Sequence, residues 1–161
     1  MTLAAPARSH KRFDSPQQEV FLNLWRTYDR LRAYEDELFA QFDLTAQQYN
    51  ALRLLKAAHP EKVPTLTLAS RLVSRAPDIT RLLDKLHERN LIERERPADN
   101  RRIVMVGVTR AGRSLLSEMA PKVQACHERQ LGHLAADERE TLVELLGKVR
   151  APHETPGSDW A

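Results

Sequence analysis

Residues 65–89 read TLTLASRLVSRAPDITRLLDKLHER, and this stretch decides the fold. Its apolar side chains recur three or four residues apart in two runs, which is the spacing of the core-facing side of an α-helix. The first run consists of Leu68, Ala69 and Leu72, and the second of Ile79, Leu82, Leu83 and Leu86. Between them, residues 73–75 (VSR) predict a tight turn, with Ser74 as the N-cap of the second helix. Two short helices joined in this way form a helix-turn-helix.

The segment after these helices predicts a β-hairpin. Asn90 tolerates the left-handed backbone conformation in which many helices end. Residues 91–96 (LIERER) and 103–108 (IVMVGV) are predicted strands, and the charged residues 97–102 (PADNRR) separate them as a turn. Thr109 is a suitable N-cap for the next helix. The pattern therefore predicts a two-stranded β-hairpin wing attached to the helix-turn-helix.

A long helix is predicted over residues 15–42. Ser15, Pro16 and Gln18 supply a hydroxyl cap, a proline at the first helical position and the glutamine of a capping box. One apolar stripe then follows the helix, and it consists of Val20, Leu24, Tyr28, Leu31, Tyr34, Leu38 and Phe42. A stripe of this length requires a partner surface.

Four further helices are predicted outside these segments or at their borders. Thr45 is predicted to cap a second helix that ends at residues 59–60 (HP), and a loop leads to a third helix capped by Thr65. After the hairpin, a long helix with a kink at Pro121 is followed by a last helix that begins after residues 137–138 (DE). The fold class is therefore mainly α, a winged helix-turn-helix between long terminal helices.

Composition indicates one soluble domain. The chain has 161 residues, of which 42% are hydrophobic and 29% charged, and it contains no apolar run of about eighteen residues. The first residues show no apolar secretion signal, so a cytoplasmic location is expected. The single cysteine, Cys126, excludes an internal disulfide framework and fits a reducing compartment.

The distribution of charge is more informative than the net charge of +3. Residues 71–113 carry 11 basic and six acidic side chains, a net charge of +5, whereas residues 1–70 carry +1 and residues 114–161 carry −3. A basic centre between neutral and acidic ends is typical of a polyanion-binding element flanked by protein-binding helices. A solvated arginine-rich surface would give the same count.

The stretch from Leu44 to Gly112 resembles the MarR family of winged-helix regulators. The resemblance depends on several motifs that occur in the family's order. They are Leu44-Thr45 with Gln47 or Gln48, Leu68-Ala69, Ile79-Thr80-Arg81 with Asp84-Lys85-Leu86, Leu91-Ile92-Glu93-Arg94, Asp99-Asn100-Arg101, and Val108-Thr109-Arg110-Ala111-Gly112. One departure is Asn90, where the family usually has glycine, and asparagine is a conservative replacement there.

The resemblance implies a domain organisation and a function. Residues 1–14 would form a disordered arm, residues 15–150 one domain, and residues 151–161 a flexible tail. Within the domain, residues 44–112 would bind DNA, while residues 15–42 and 110–150 would form a homodimer that binds a pseudo-palindromic operator in double-stranded DNA. The protein would be a transcription regulator associated with the nucleoid, and the family suggests a repressor that a small molecule releases.

Nine residues are candidates for DNA contact. They are Ser74, Arg75, Asp78, Thr80, Arg81, Lys85, Asp99, Arg101 and Arg102. Arginine reads guanine and an aspartate accepts from cytosine, but an ion pair between Asp78 and Arg81 is an equally good interpretation of their spacing. In the wing, the resemblance implies that Asp99 holds Arg101 for entry into the minor groove and that Arg102 binds phosphate or stabilises the wing.

The aromatic residues of the first two helices are candidates for an effector site. The resemblance implies a crevice between the dimerising helices and the DNA-binding lobes for a small aromatic or anionic molecule. Its lining would be Trp25, Tyr28, Tyr34 and Tyr49, with Arg26 or Arg30 as the cation. Aromatic side chains at helical spacing are also common in protein cores, and that alternative stays open.

No motif supports an enzyme, a cofactor or a metal site. The chain lacks G-x-G-x-x-G, a P-loop and G-x-S-x-G, and residues 127–128 and 87–88 (both HE) do not continue to H-E-x-x-H. Two alternative functions remain. One is a winged-helix module that binds protein, which would have no need of Arg101. The other is a redox-sensing regulator that uses Cys126, although a buried inert thiol is the simpler interpretation.

Overall fold

A computed structural model describes residues 12–74, 78–157 and 160. Within these ranges the chain forms α-helices, a small sheet and one 3-10 helix. In chain order they are α1 (Pro16–Ala40), α2 (Ala46–Ala58), β1 (Val63–Pro64), α3 (Thr65–Arg71), α4 (Ile79–Glu88), β2 (Ile92–Glu95), β3 (Met105–Val108), α5 (Arg110–Leu131), α6 (Ala136–Arg150) and the 3-10 helix Ala151–His153. The predicted helix-turn-helix and wing are confirmed.

Three predicted N-caps are formed. The Ser15 side chain accepts from the Gln18 backbone N–H at 3.0 Å, although the Gln18 side chain bonds Asp14 and not the Ser15 backbone. Thr45 forms a complete capping box, and Thr109 accepts from the Gly112 N–H at 3.0 Å. These bonds satisfy backbone donors that have no partner inside the helix.

Two predicted caps are wrong. Asp78, and not Ser74, caps α4, because its carboxylate accepts from the Arg81 N–H at 2.9 Å. Thr65 is the first residue of α3, which is preceded by Pro64 at the N-cap. The Thr65 hydroxyl instead donates to the Val104 carbonyl at 3.1 Å, and the Thr65 N–H bonds the same oxygen at 3.0 Å. Tertiary contact therefore outweighs capping preference at this position.

The sheet has three strands, so the prediction of a two-stranded wing is incomplete. Its order is β1-β3-β2, and both pairings are antiparallel. Val63 pairs with Val106, where the sequence predicted a loop. Two residues are too few to show the alternation that identifies a strand. The short β1 nevertheless ties the beginning of α3 to the base of the wing.

The junction between α4 and the wing follows the prediction for Asn90. Asn90 has φ +56°, the left-handed conformation, and the Leu91 N–H bonds the Leu86 carbonyl at 3.1 Å. Gly112 in the first turn of α5 lies against the Leu91 carbonyl, so close that a Cβ at this position would lie 2.3 Å from the oxygen. The backbones of α4, of the wing and of α5 therefore lie in direct contact at this junction.

The core lies between α2, α3, α4, the sheet and the middle of α5. Its most deeply buried large side chains are Leu52, Leu55, Leu68, Leu83, Leu86, Ile92, Val106 and Met119. From α1 only Leu38 and Phe39 are buried, and α6 buries no residue. Of the seven residues of the predicted apolar stripe, three are therefore exposed in the single chain, namely Val20, Tyr28 and Tyr34, and only Leu38 is buried.

The C-terminal end of the chain is more ordered than predicted, whereas the prediction for the N-terminal arm is not tested. Residues 1–11, most of the predicted arm, lie outside the described residues. In the predicted tail, Ala151–His153 form a 3-10 helix and the Arg150 guanidinium lies over the Trp160 ring at 4.7 Å. Among the helices of the described ranges, none combines the length and the apolar character needed to cross a membrane.

Candidate nucleic-acid interface

Helix α4 is anchored in the core and presents its other sides to solvent. Leu83 and Leu86 are fully buried and hold the helix against α2 and the sheet. Two polar residues of α2 support the turn before α4. The Gln47 side chain donates to the Ser74 hydroxyl at 3.1 Å, and the Asn50 carbonyl oxygen accepts from the Val73 N–H at 3.1 Å. These contacts of α2 were not predicted, because the bonded residues are 27 positions apart for Gln47 and Ser74 and 23 apart for Asn50 and Val73.

The candidate residues of α4 divide between two of its sides. Asp78, Arg81 and Lys85 share the side next to the start of α2, where they line a shallow depression of about 280 Å³. Thr80 faces the wing, and Arg75 lies outside the described residues. The Asp78 carboxylate bonds the backbone N–H of Arg81, and in residues 12–74 and 78–157 neither Arg81 nor Lys85 forms an ion pair. Both cations are exposed and available to an external anion.

The wing turn presents three further candidates to solvent. Asp99, Arg101 and Arg102 are all exposed. The pairing of Asp99 with Arg101 that the resemblance implied is not formed among the described residues. Instead, the Arg96 guanidinium donates to the Arg101 carbonyl at 2.8 Å, and the Asn100 side chain accepts from the Arg102 N–H at 3.2 Å. Arg96 therefore shapes the turn and leaves the Arg101 guanidinium unbound.

An ion pair joins the wing to α4. Arg94 of β2 donates to the Asp84 carboxylate at 2.7 Å and to the Thr80 carbonyl at 3.4 Å. Arg94 is largely covered and Asp84 is half exposed, so solvent screens the pair only in part. Both residues stand in the motifs that carry the resemblance, but their pairing across the hairpin is visible only in three dimensions.

Lys62 connects the two edge strands of the sheet. Lys62, next to β1, forms ion pairs with Glu93, at 3.6 Å, and Glu95 of β2, so its side chain spans the central strand β3. It passes over Gly107, where a Cβ would lie 3.0 Å from the Lys62 Cγ. Hydrogen bonding to Glu95 raises the pKa of Lys62. The absence of a side chain at Gly107 makes this crossing possible.

A cavity of about 660 Å³ lies between α3, α4 and the wing. Its walls combine apolar residues with three arginines and one carboxylate, that of Glu95, which pairs with Lys62. They include Pro64, Leu66, Leu83, Ile103 and Val104, together with Thr80, Arg94, Arg96 and Arg102. The cavity therefore offers cations and apolar surface to the same occupant.

The predicted effector residues are not brought together in one chain. Trp25, Arg26 and Tyr28 lie on the exposed half of α1, and Trp25 contacts Phe21 with ring centroids 6.3 Å apart. Tyr49 instead stacks on Phe39 at 4.6 Å, and its burial raises the pKa of its hydroxyl. Fourteen helical residues separate Trp25 from Phe39, about 21 Å along the axis. Within one chain Trp25 and Tyr49 therefore do not lie together, and a crevice between the dimerising helices and the DNA-binding lobes that includes both stays a prediction.

Cys126 is buried on α5 and poorly suited to redox sensing. Burial, and then the nearby charge of Glu35, raises the pKa of its thiol. The thiolate is the reactive form, so this environment lowers its reactivity at neutral pH. Over the described ranges, no group of three metal-binding side chains comes together.

Comparison with known proteins agrees with this architecture. The model of the MarR family matches residues 44–104, which contain the helix-turn-helix, β2 and the wing turn and end just before β3. Transcriptional regulator HosA of Escherichia coli O157:H7 is 30% identical over 107 residues, which cover 66% of this chain and 78% of HosA. The chain belongs to the MarR family. This protein is accordingly a DNA-binding transcription regulator and not an enzyme.

Three solved structures illustrate the similarity in fold. The MarR transcription factor of Planctomyces limnophilus is 56% identical, with a TM-score of 0.68 over 85% of this chain and 99% of that one. A mutant MarR of E. coli, solved with operator DNA, is 26% identical, with a TM-score of 0.73 over 81% and 93% of the two chains. Bordetella bronchiseptica BpsR, whose DNA binding is regulated by 6-hydroxynicotinic acid, is 25% identical, with a TM-score of 0.75 over 85% and 96%.

Proposed function

We propose that this MarR protein binds a pseudo-palindromic operator as a homodimer, with α4 of each protomer in the major groove and each wing turn in a minor groove. The observation that carries the proposal is the shared exposure of Arg81, Lys85, Arg101 and Arg102 on one lobe, without ion pairs among the described residues. Free cations are the groups that replace counterions on DNA. A single winged helix buries little surface, so two are needed for useful affinity.

The exposed apolar surface of the terminal helices supports the dimer. Several large apolar side chains lie there with 38% or more of their surface exposed: Val20, Phe21, Leu22, Trp25 and Tyr28 on α1, and Leu142, Val143, Leu145 and Val149 on α6. Monomeric proteins rarely leave so much apolar surface in contact with water. We assign dimerisation to residues 15–42 and 110–150 and DNA binding to residues 44–112, within one domain of residues 15–150.

Roles on DNA follow from position in this arrangement. The beginning of α4 would enter the groove, so we assign base and phosphate contacts to Ser74, Arg75, Asp78, Thr80, Arg81 and Lys85. At the wing, the Arg101 guanidinium would enter the minor groove, Arg102 would bind phosphate, and Asp99 would orient Arg101 once DNA is bound. The carboxylate of Asp78 also accepts from the Arg81 N–H, so this residue stabilises the first turn of α4 as well.

We also propose that the protein is a repressor released by a small aromatic anion in the cavity between α4 and the wing. The cavity joins apolar walls to Arg94, Arg96 and Arg102. Two of these cations hold the interface in shape, since Arg94 bonds Asp84 and Arg96 bonds the Arg101 carbonyl. An anion that attracts either guanidinium competes with these bonds and shifts the wing relative to α4. The ligand-regulated DNA binding of BpsR supports such a response.

Replacement of Arg101 tests the DNA-binding proposal. On an operator selected from random duplexes, Arg101→Ala is expected to lower affinity at least about tenfold, because a minor-groove arginine carries both charge and shape recognition. Lys148→Gln is the matched control, since it removes one cation that pairs with Glu144 on α6. Fluorescence anisotropy measures both variants. Wild-type affinity in Arg101→Ala, with the dimer intact, would contradict the wing assignment.

The effector proposal is tested without DNA. Calorimetry compares benzoate with benzamide, which has the same shape but no charge, and tighter binding of benzoate is expected. Ile103→Glu adds a carboxylate to the cavity wall and is expected to weaken benzoate binding more than benzamide binding, because only benzoate is repelled by the new charge. Equal binding of the two compounds, or no effect of Ile103→Glu, would place the effector elsewhere.

A further inference from the structure

Arg89 links the recognition helix to the end of the first helix. It is the C-cap residue of α4, and its guanidinium donates to the Asp43 carbonyl at 2.7 Å and to the Phe42 carbonyl at 3.1 Å. The two acceptors are 46 and 47 residues away and lie in the turn that follows α1. Asp43 in this turn has φ +53°, a conformation unusual for a residue other than glycine. The fork of an arginine fits two neighbouring carbonyls, as it fits a carboxylate.

The electrostatics of both helices favour a cation at this place. The carbonyls at the C-terminal end of a helix carry partial negative charge. Arg89 stands at the end of α4, and its guanidinium reaches carbonyls that follow the end of α1. One arginine therefore ties the C-terminal end of α4, in the DNA-binding lobe, to the turn that follows α1.

We propose that Arg89 is a positioning residue that fixes the angle of the recognition helix relative to the dimer axis. This inference rests on the proposed dimeric function. Eleven residues separate Asp78 from Arg89, which corresponds to about 16 Å of helix. If the C-terminal end of α4 is released and the helix tilts by about 10°, its first turn moves by about 3 Å. A displacement of this size is close to the rise of one base pair and changes the distance between the two recognition helices.

The proposal predicts altered tolerance of operator spacing. One base pair added between the half-sites separates them by about 3.4 Å and rotates one of them by about 35° relative to the other. A rigidly held α4 cannot follow this change, whereas a loosened α4 follows part of it. Loss of Arg89 should therefore weaken binding to the best operator and reduce the penalty for altered spacing.

The experiment compares Arg89→Gln, Arg89→Lys and the control Arg139→Gln on operators with optimal spacing and with one base pair added or removed. Arg139 also donates to a carbonyl, that of Leu134, but within its own helix start. Both Arg89 variants are expected to lose about three- to tenfold in affinity for the best operator and to show a spacing penalty at least about threefold smaller than wild type. Arg139→Gln should keep the wild-type penalty.

Two results would overturn the proposal. A direct phosphate contact would leave Arg89→Lys close to wild type and lower the slope of log affinity against log salt by about 0.9 in Arg89→Gln. A positioning role leaves that slope unchanged and makes lysine no better than glutamine, because one ammonium group does not reproduce the fork. An unchanged spacing penalty in both variants would also refute the inference.

A measurement without DNA separates this inference from the proposed function. The amides of Asp43 and Leu44 bond the Ala40 and Phe39 carbonyls in the turn that Arg89 holds. Hydrogen exchange at these amides should be faster in Arg89→Gln than in wild type or Arg139→Gln. Unchanged exchange would show that Arg89 does not hold the turn. If wild type selects no operator, the proposed function fails while hydrogen exchange still decides whether Arg89 fixes this junction.

Discussion

Gly112→Ala should separate α5 from the wing and destabilise the fold. A Cβ at residue 112 would lie 2.3 Å from the Leu91 carbonyl oxygen and 2.8 Å from the Val108 Cγ2. The oxygen belongs to the backbone and accepts from the Thr109 N–H at 3.1 Å, so no side-chain rotation relieves the contact. Overpacking of this kind costs about 1–3 kcal/mol, and we expect the upper part of that range, since backbone must move. The higher helix propensity of alanine returns less than about 1 kcal/mol in the first turn.

The net effect is a loss of about 2 kcal/mol in the free energy of unfolding, or about 4–8 °C in Tm for a chain of this size. Gly147→Ala is the matched control, because a Cβ there meets no atom within 4 Å in the single chain. That variant should be stabilised by up to about 1 kcal/mol. Urea and thermal unfolding at equal protomer concentration measure both, since a dimer's stability depends on concentration. Equal changes of the same sign would refute the packing argument.

Three further predictions concern the dimer, the thiol and the wing. Leu145→Asp should give monomers in sedimentation equilibrium, because it places a charge on the exposed apolar face of α6. The control Glu140→Ala should leave the dimer intact. A dimeric Leu145→Asp variant would contradict the assignment of α6 to the dimer interface. Burial raises the pKa of Cys126, so alkylation of its thiol at pH 8 should be slower in the folded protein than in the urea-unfolded chain, and it should accelerate as pH rises. Equal alkylation rates in the folded and unfolded protein would show that the thiolate is accessible. A double-mutant cycle of Arg94→Gln and Asp84→Asn, measured by urea unfolding, should give a coupling free energy of about 0.5–1 kcal/mol. Additive changes in the free energy of unfolding would show that the ion pair does not stabilise the wing.

The order of elements was predictable because amphipathic helices show apolar residues three or four positions apart in the sequence. The apolar stripe of α4 and the left-handed end at Asn90 were both visible there. The first strand was not visible, since Val63–Pro64 forms only through pairing with β3. The choice between Ser74 and Asp78 as the cap of α4 was also beyond the sequence, because both residue types favour that position.

The site was predictable as a set of exposed polar residues but not as a set of contacts. The candidates on α4 and in the wing turn that the structure describes are exposed, as a DNA-facing surface requires. The arginines that hold this surface in shape were not identified. Arg94, Arg96 and Arg89 bond partners between five and 47 residues away, and such pairings depend on how the elements pack. The distance between Trp25 and Tyr49 in one chain was not visible in the sequence for the same reason, since it depends on how α1 packs.

The most direct test of a dimeric, sequence-specific regulator is selection of DNA from a random duplex pool at near-physiological salt, followed by titration of the selected sequence at several salt concentrations. We expect an inverted repeat with half-sites about one helical turn apart. Affinity should fall steeply with salt, because phosphate contacts of two basic lobes release counterions. If a folded and dimeric protein enriches no sequence, or binds every duplex equally, the central claim is contradicted.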